Sequence, residues 1–293
     1  MHKAGFVNIV GNPNVGKSTL MNQLVGEKLS IATFKAQTTR HRIMGIVNTD
    51  DAQIVFSDTP GVLKPNYKMQ EMMLQFSESA LADADILLYV TDVVENPEKN
   101  MDFLDKVSKM TIPVILLINK IDESDQKKLG NLVETWHKLL PNAEILPLSA
   151  KNKFGIDILM KRIFELLPES PAFFDKDQLT DKPAKFFVSE IIREKILRYY
   201  DKEIPYSVEV VIERFKEDER QIHINAIIYV ERSSQKGIII GHQGMALKKV
   251  STEARKSLER FFDKKIFLET YVKVDKDWRN SQKELNNFGY NPE

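Results

Sequence analysis

The chain has 293 residues, 42% apolar and 29% charged, a composition that excludes a wholly disordered or fibrous protein and has room for about two domains. It contains no cysteine, which excludes a disulfide framework, a zinc–thiolate site, an iron–sulfur cluster and a cysteine nucleophile. Its 42 basic and 42 acidic residues cancel overall, but residues 1–182 carry 21 against 24 and residues 183–293 carry 21 against 18, so a basic patch is to be sought in the second half.

Met-His-Lys-Ala-Gly leads straight into a strand-like run, which does not resemble a signal peptide. Apolar runs such as Ile112–Ile118 are far shorter than the roughly 20 residues of a bilayer span, so the expectation is a cytoplasmic protein. Strand candidates in the first half are Phe6–Val10, Ile43–Val47, Gln53–Phe56, Asp85–Val90, Pro113–Ile118 and Glu144–Pro147. Most are dense in Ile, Val and Leu, as strands buried on both faces are. Helical patterns lie between them at Lys17–Val25, Lys68–Leu81, Lys99–Lys109, Gln126–Leu140 and Gly155–Leu167. The alternation predicts a mostly parallel, doubly wound α/β sheet. Ile43–Val47 and Gln53–Phe56 are joined too closely for a crossover helix, so they should be antiparallel neighbours.

Gly11-Asn12-Pro13-Asn14-Val15-Gly16-Lys17-Ser18 fits G-x-x-x-x-G-K-[ST] between a predicted strand and a predicted helix, the context of a phosphate-binding loop. In such a loop the backbone N–H groups and the helix N-terminus face a phosphate. Lys17 would meet the β- and γ-phosphates and the Ser18 hydroxyl would ligate Mg2+, with Thr19 following in the helix. Asp58-Thr-Pro-Gly61 ends the third strand, where a carboxylate can hold Mg2+ and a glycine N–H can sense the γ-phosphate. Asn119-Lys120-Ile-Asp122 follows the strand Pro113–Ile118. A carboxylate there can accept from both donors of guanine, which adenine does not offer as a pair. Ser149-Ala150-Lys151 ends the last strand and would close over the base. Each short motif by itself is an ordinary turn. Four in this order, each after a predicted strand, point to a nucleotide site.

Pro168, Pro171 and Pro183 bracket a stretch without periodicity, giving a first domain over residues 1–170 and a linker over 171–183. From residue 184 the pattern changes. A helical face at Val188–Tyr199 is followed by alternation at Val208, Val210 and Ile212 and again from Ile222 to Val230. Then come a short helix, a glycine-rich turn, a long helix from Met245 to about Phe262 and a strand at Ile266–Val274, in the order α-β-β-α-α-β. The turn Gly241-His242-Gln243-Gly244 is a Gly-x-x-Gly, and Gly237–Lys265 holds seven basic and three acidic residues. Ile238, Ile239 and Ile240 are candidates for an apolar floor beneath a nucleic acid or for core, and Lys248 and Lys249 can meet phosphates. For Arg255, Lys256 and Arg260 a solvated helix face is the preferred reading. The polar segment Trp278–Glu293 has no assignment.

The four first-half motifs resemble those of the translation-factor-related GTPases, and Gln37-Thr38-Thr39-Arg40 resembles the switch segment of the Era branch. The α-β-β-α-α-β order around Gly241–Gly244 resembles a type II KH domain, and a GTPase domain followed by such a domain is the architecture of the Era family. The resemblance implies GTP and GDP binding by Asn12, Asn14, Val15, Gly16, Lys17, Ser18, Thr19, Asp58, Gly61, Asn119, Lys120, Asp122, Ser149, Ala150 and Lys151. It implies Mg2+ at Ser18, Asp58 and Thr39, with Thr38 as the alternative, and catalytic contributions from Lys17, Thr39, Gly61 and Asn14. RNA would be bound by Ile239, Gly241, His242, Gln243, Gly244, Lys248 and Lys249. The partner implied is the 3′ end of 16S ribosomal RNA in small-subunit assembly, by a monomer with peripheral contact to the inner face of the membrane.

Many GTPases carry a Gln after the Asp-Thr-Pro-Gly segment to orient the attacking water; here the residue is Val62, which cannot, so slow hydrolysis is expected. In relatives, an Asn at the position of Asn14 helps hold K+ against the phosphates. An Asn in a tight loop needs no such role, and the two readings stand level. Arg40 and Arg42 are lesser candidates for charge stabilisation. The competing class, a metabolic P-loop kinase with an accessory domain, leaves Asn119–Asp122 without a task.

Overall fold

In a computed structural model of the chain, which describes residues 1–291, the apolar runs of the first half form one six-stranded sheet. β1 (Lys3–Gly11) is flanked in parallel by β3 (Ala52–Asp58) and β4 (Ile86–Asp92), and β5 (Val114–Asn119) and β6 (Glu144–Pro147) continue on the β4 side. β2 (Ile43–Asn48) forms the opposite edge and runs antiparallel to β3, with Ile43 opposite Asp58 and Asn48 opposite Gln53. The order is β2-β3-β1-β4-β5-β6. β3 and β4 are buried at every position, which is why their sequences lack the alternation of a half-exposed strand.

The helices of this unit are α1 (Lys17–Val25), α2 (Lys68–Ala82), α3 (Met101–Ser108), α4 (Gln126–Leu139) and α5 (Ile156–Leu166). One core cluster joins Val10, Leu87, Tyr89, Leu116 and Ile118 of the sheet to Ala80 of α2, Phe103, Leu104 and Val107 of α3, and Trp136 of α4. α3 starts two residues later than the periodicity predicts, because Asn100 takes a left-handed conformation (φ 59°) as its N-cap. The parallel strands point their C-terminal ends the same way, and the loops that follow β1, β3, β5 and β6 carry the four motifs.

Contacts divide the chain into a unit of residues 1–66 with 70–181 and a unit of 182–291 with 67–69. Within the first unit the segment expected to be a linker is fastened along the β2 edge. Leu179 O accepts from Ile46 N–H at 2.8 Å, Asp181 Oδ1 accepts from Met44 N–H at 2.9 Å, and Gln53 Oε1 accepts from Phe173 and Phe174 N–H at 2.7 and 3.0 Å. The first two bonds cover backbone N–H groups that the β2 edge would otherwise present to solvent, and the last two tie the segment to a side chain of β3.

The second unit contains α6 (Ala184–Tyr199), β7 (Glu209–Glu217), β8 (Gln221–Val230), α7 (Ser233–Ile240), α8 (Met245–Phe262) and β9 (Lys265–Val274). β8 is central, antiparallel to β7 and parallel to β9, with a register shift between Ile212 and Arg214. Its inward residues Ile222, Ile224, Ala226, Ile228 and Val230 pack with Val188, Ile192 and Ile196 of α6 and Val250, Ala254 and Leu258 of α8. The polar C-terminal segment is part of this unit. Trp278, Leu285 of α9 (Gln282–Asn287) and Tyr290 are fully buried; Trp278 donates to Ser207 O, and Tyr290 donates to Glu209 Oε2 at 2.7 Å.

Candidate functional site

The loop from β1 into α1 wraps one side of a cavity of about 350 Å3, within the range of small-molecule sites. Gly16 has φ 97°, and a β-carbon there would collide with the Asn119 side chain, so the loop can curl only with glycine at this position. Lys17 is buried and its ammonium donates to Gly11 O at 3.0 Å and Asn12 O at 2.8 Å, which holds it across the loop. Burial pushes its pKa down to about 8, against the nearby charges of Asp58 and Glu95. A polyphosphate in the cavity would offset that desolvation with negative charge.

Three oxygens converge beside Lys17. Ser18 Oγ lies 2.8 Å from Thr39 Oγ1 and 2.8 Å from Asp58 Oδ2, and Thr39 Oγ1 lies 3.2 Å from the same carboxylate oxygen. Neighbouring ligands of an octahedral Mg2+ at about 2.1 Å sit roughly 3 Å apart, so the trio has the spacing of one face of such a shell. Asp58 is fully buried, its Oδ1 makes no hydrogen bond among the described residues, and burial raises its pKa against the Lys17 charge. A buried carboxylate with a spare oxygen suits a cation, and the residues present fit Mg2+. Thr38, the alternative ligand, is turned elsewhere: its hydroxyl bonds Lys35 O at 2.5 Å and the Thr33 hydroxyl at 2.8 Å.

On the other side of the cavity, Asn119 ties the loops together by donating to Val15 O at 2.8 Å and accepting from Ala150 N–H at 3.0 Å. Lys120 (φ 61°) bonds Asn14 O at 2.7 Å and Asp92 at 2.6 Å. Asp122 is exposed at the cavity wall with one carboxylate oxygen 2.5 Å from Ser149 Oγ, in position to accept from a planar base. The cavity thus brings together Asn14, Gly16, Lys17, Ser18, Thr19, Thr39, Gly61, Asn119, Lys120, Asp122, Ser149 and Lys151. Asn12, Val15, Asp58 and Ala150 are buried around its wall, so Asn12, Val15 and Ala150 have chiefly backbone to offer a ligand.

Asn14 is exposed, with φ 67°. Arg42 is committed to structure: it donates to Asp83 at 2.7 and 2.9 Å and to Ser57 at 2.6 Å. Arg40 is fully buried. The sequence reading missed Ile31, Ala32, Thr33, Phe34 and Lys35, which also line the cavity; these residues form no periodic pattern that marks them.

In the second unit, Gly241 has φ 72° and a β-carbon there would lie 2.6 Å from Ala246 Cβ, so the turn between α7 and α8 needs glycine. His242, Gln243, Lys248 and Lys249 are exposed around it, and the Lys249 ammonium lies 4.5 Å from the Tyr199 ring centre. Ile239 corrects the sequence reading: it is fully buried in the core, and its carbonyl accepts from Tyr200 Oη at 2.6 Å, so it offers no floor. Ile238 is exposed on α7 and Ile240 packs on the core. A groove of about 360 Å3 runs instead between α8 and β9, lined by Gly244, Leu247, Lys248, Ser251, Thr252, Arg255, Leu268 and Thr270. Its apolar floor residues are Leu247 and Leu268. The sequence reading did not pair them, because only the fold sets α8 beside β9.

Residues 6–120 match the family described as 50S ribosome-binding GTPase, and residues 203–279 match the KH domain family. The chain is 44% identical over 292 residues to the GTPase Era of Clostridium kluyveri, covering 99% of this chain and 100% of that one. It is 45% identical over 295 residues to the GTPase Era of Leuconostoc citreum, covering 99% and 97%. Among solved structures, it is similar to Era in complex with MgGDPNP and nucleotides 1506–1542 of 16S ribosomal RNA, with a TM-score of 0.94, 38% identity and 99% of both chains covered. A variant of Aquifex aeolicus Era bound to GDP·AlF4− gives a TM-score of 0.94 and 38% identity, with 98% and 99% covered.

Proposed function

The chain belongs to the Era family of GTPases, and from that premise we propose that it is a GTP-driven switch that binds the 3′ end of 16S ribosomal RNA and assists assembly of the small ribosomal subunit. The observation that carries the reading is one chain holding two sites of different chemistry. A cavity assembles Lys17, the Ser18–Thr39–Asp58 oxygens and the Asp122 carboxylate, and a separate unit presents a Gly-x-x-Gly turn at the mouth of a groove. The resemblance, over 99% of this chain, to Era bound to MgGDPNP and nucleotides 1506–1542 of 16S ribosomal RNA supports the choice of ligands. A kinase with an accessory domain has no use for Asp122 or for the groove.

Ser18, Thr39 and Asp58 would hold Mg2+, which draws charge from the phosphoryl oxygens. Lys17, held across the loop by Gly11 O and Asn12 O, would meet the β- and γ-phosphates, and Asp122 would select guanine by remaining unpaired with the wrong base. We include K+ in the proposal, held with the help of Asn14, because Val62 cannot orient water and some other group must stabilise the developing charge. In the groove, Leu247 and Leu268 would support unstacked bases while His242, Gln243 and Lys248 lie beside the RNA backbone. Work on ribosomal RNA would place the protein in the cytoplasm.

The test is the pair His242→Asp and Gln243→Asp, which keeps both glycines and sets two carboxylates beside the phosphates. Affinity for an RNA from the 3′ end of 16S ribosomal RNA should fall by on the order of a few kcal/mol at fixed salt. GTP binding should be retained. Unchanged RNA affinity would remove the Gly241–Gly244 turn from the interface.

A further inference from the structure

We infer that Asn100 is a positioning residue for GTP hydrolysis: its side-chain amide clamps the segment after Gly61 onto the phosphate-binding loop. The inference rests on the GTPase reading of the cavity. Asn100 Nδ2 donates to Val62 O at 3.0 Å and to Asn12 Oδ1 at 2.6 Å. A backbone carbonyl can only accept, so the group facing Val62 must be the NH2 of Asn100. That NH2 obliges Asn12 to present its oxygen, which leaves the Asn12 NH2 for the Glu95 carboxylate. Glu95 also accepts from Thr91 Oγ1 at 2.8 Å. Donation therefore runs outward from the one Asn100 NH2, on one side to a backbone acceptor after β3 and on the other, through Asn12, to a carboxylate after β4.

Val62 is held at every other group as well. Its N–H donates to Gly11 O at 3.1 Å, and its side chain is buried with Val10, Leu87, Tyr89 and Phe103. Gly61 sits directly against the phosphate-binding loop: a β-carbon there would lie 2.7 Å from Pro13 Cα and N. Where other GTPases use this position for a side chain that orients water, this chain uses it as a fixed point of the backbone. A fixed Val62 sets the direction of the Gly61 peptide next to the γ-phosphate position, and misplacement by about 1 Å at such a point costs up to ~100-fold in rate. Asn100 does this from a left-handed conformation that Asn, Asp and Gly tolerate.

The experiment uses the full chain with Asn100→Gly, which keeps the backbone conformation and removes the clamp, and Asn100→Asp, which keeps the shape but turns a donor toward Val62 into an acceptor. Hydrolysis at saturating GTP should fall about tenfold in Asn100→Gly and further in Asn100→Asp, while KM for GTP and the Kd for a fluorescent GDP analogue stay within about twofold. Thermal melts identify any variant that has lost its fold, and the kcat-against-KM split is read on the folded ones. Wild-type kcat in both folded variants would overturn the clamp, as would a loss of GDP affinity equal to the loss in kcat, which marks a merely structural role. A wild-type chain without GTP hydrolysis would instead overturn the GTPase reading itself.

Discussion

Asp58 carries two burdens at once: it is fully buried, which favours its neutral form, and it faces Lys17, which favours its charge. Lys17 is under the mirror-image strain, with its pKa down to about 8. Each of these costs is recovered when a polyphosphate and a divalent cation bind, so the site trades stability of the free protein for ligand affinity. The left-handed backbone and exposure of Asn14 suit both a plain loop residue and a cation ligand. If it helps hold K+, hydrolysis should be faster in K+ than in Na+ at equal ionic strength, by about tenfold or more, as the contribution of one charged group to a phosphoryl-transfer transition state warrants. Asn14→Ala should erase the difference between the two salts. Equal rates for the wild-type chain in both salts would return Asn14 to the loop reading.

Elements whose periodicity is strong were legible. The strands from Phe6 to Pro147 and the antiparallel pair at β2 and β3 follow from runs of buried aliphatics and one short connection. Two segments were not. The stretch after Pro168 looked like a linker because its hydrogen bonds go to the β2 edge and to Gln53 of β3, more than a hundred residues away in sequence, with no local pattern to show it. The C-terminal segment looked polar because Trp278, Leu285, Phe288 and Tyr290 are interspersed among polar residues at no regular period. In the structure, Phe288 lies against both Trp278 and Tyr229, with ring centres 5.5 and 5.3 Å apart. Arg279 pairs there with Glu231. Trp278→Ala should therefore destabilise the second unit by about 3–5 kcal/mol, the range for emptying a large buried aromatic site. Denaturant melts would show it, and a loss below about 1 kcal/mol would mean that α9 and its neighbours are not part of the core.

At the level of the whole molecule, a net charge of zero argues against nucleic-acid binding only if charge is spread evenly, and it is not. Lys248 stands exposed at the groove, whereas Arg255 is paired with Glu259 at 2.6 Å and Lys256 with Glu253 at 2.9 Å. The electrostatic share of RNA binding should then come from few residues, and its salt dependence should be shallow. Lys248→Ala should lower the slope of log affinity against log salt by about 0.7, the value for one phosphate contact on a single strand. Arg255→Ala should change it less. An unchanged slope in Lys248→Ala would take that side chain off the phosphate path.

By itself the sequence determined the class of chemistry. The spacing of Gly11–Ser18, Asp58–Gly61, Asn119–Asp122 and Ser149–Lys151 encodes a guanine-nucleotide site because each motif acts through its own few residues of backbone and the strand before it. Likewise Gly241 and Gly244, set between a short and a long predicted helix, mark a tight turn. Tertiary structure decided everything that depends on which distant segments meet. It selected Thr39 over Thr38 beside Ser18 and Asp58, and sent Ile239 into the core and Leu268 to the groove. It also brought Asn100 to both Asn12 and Val62. Such contacts join residues separated by tens of positions, and a hydrogen bond between them leaves no periodic trace along the chain.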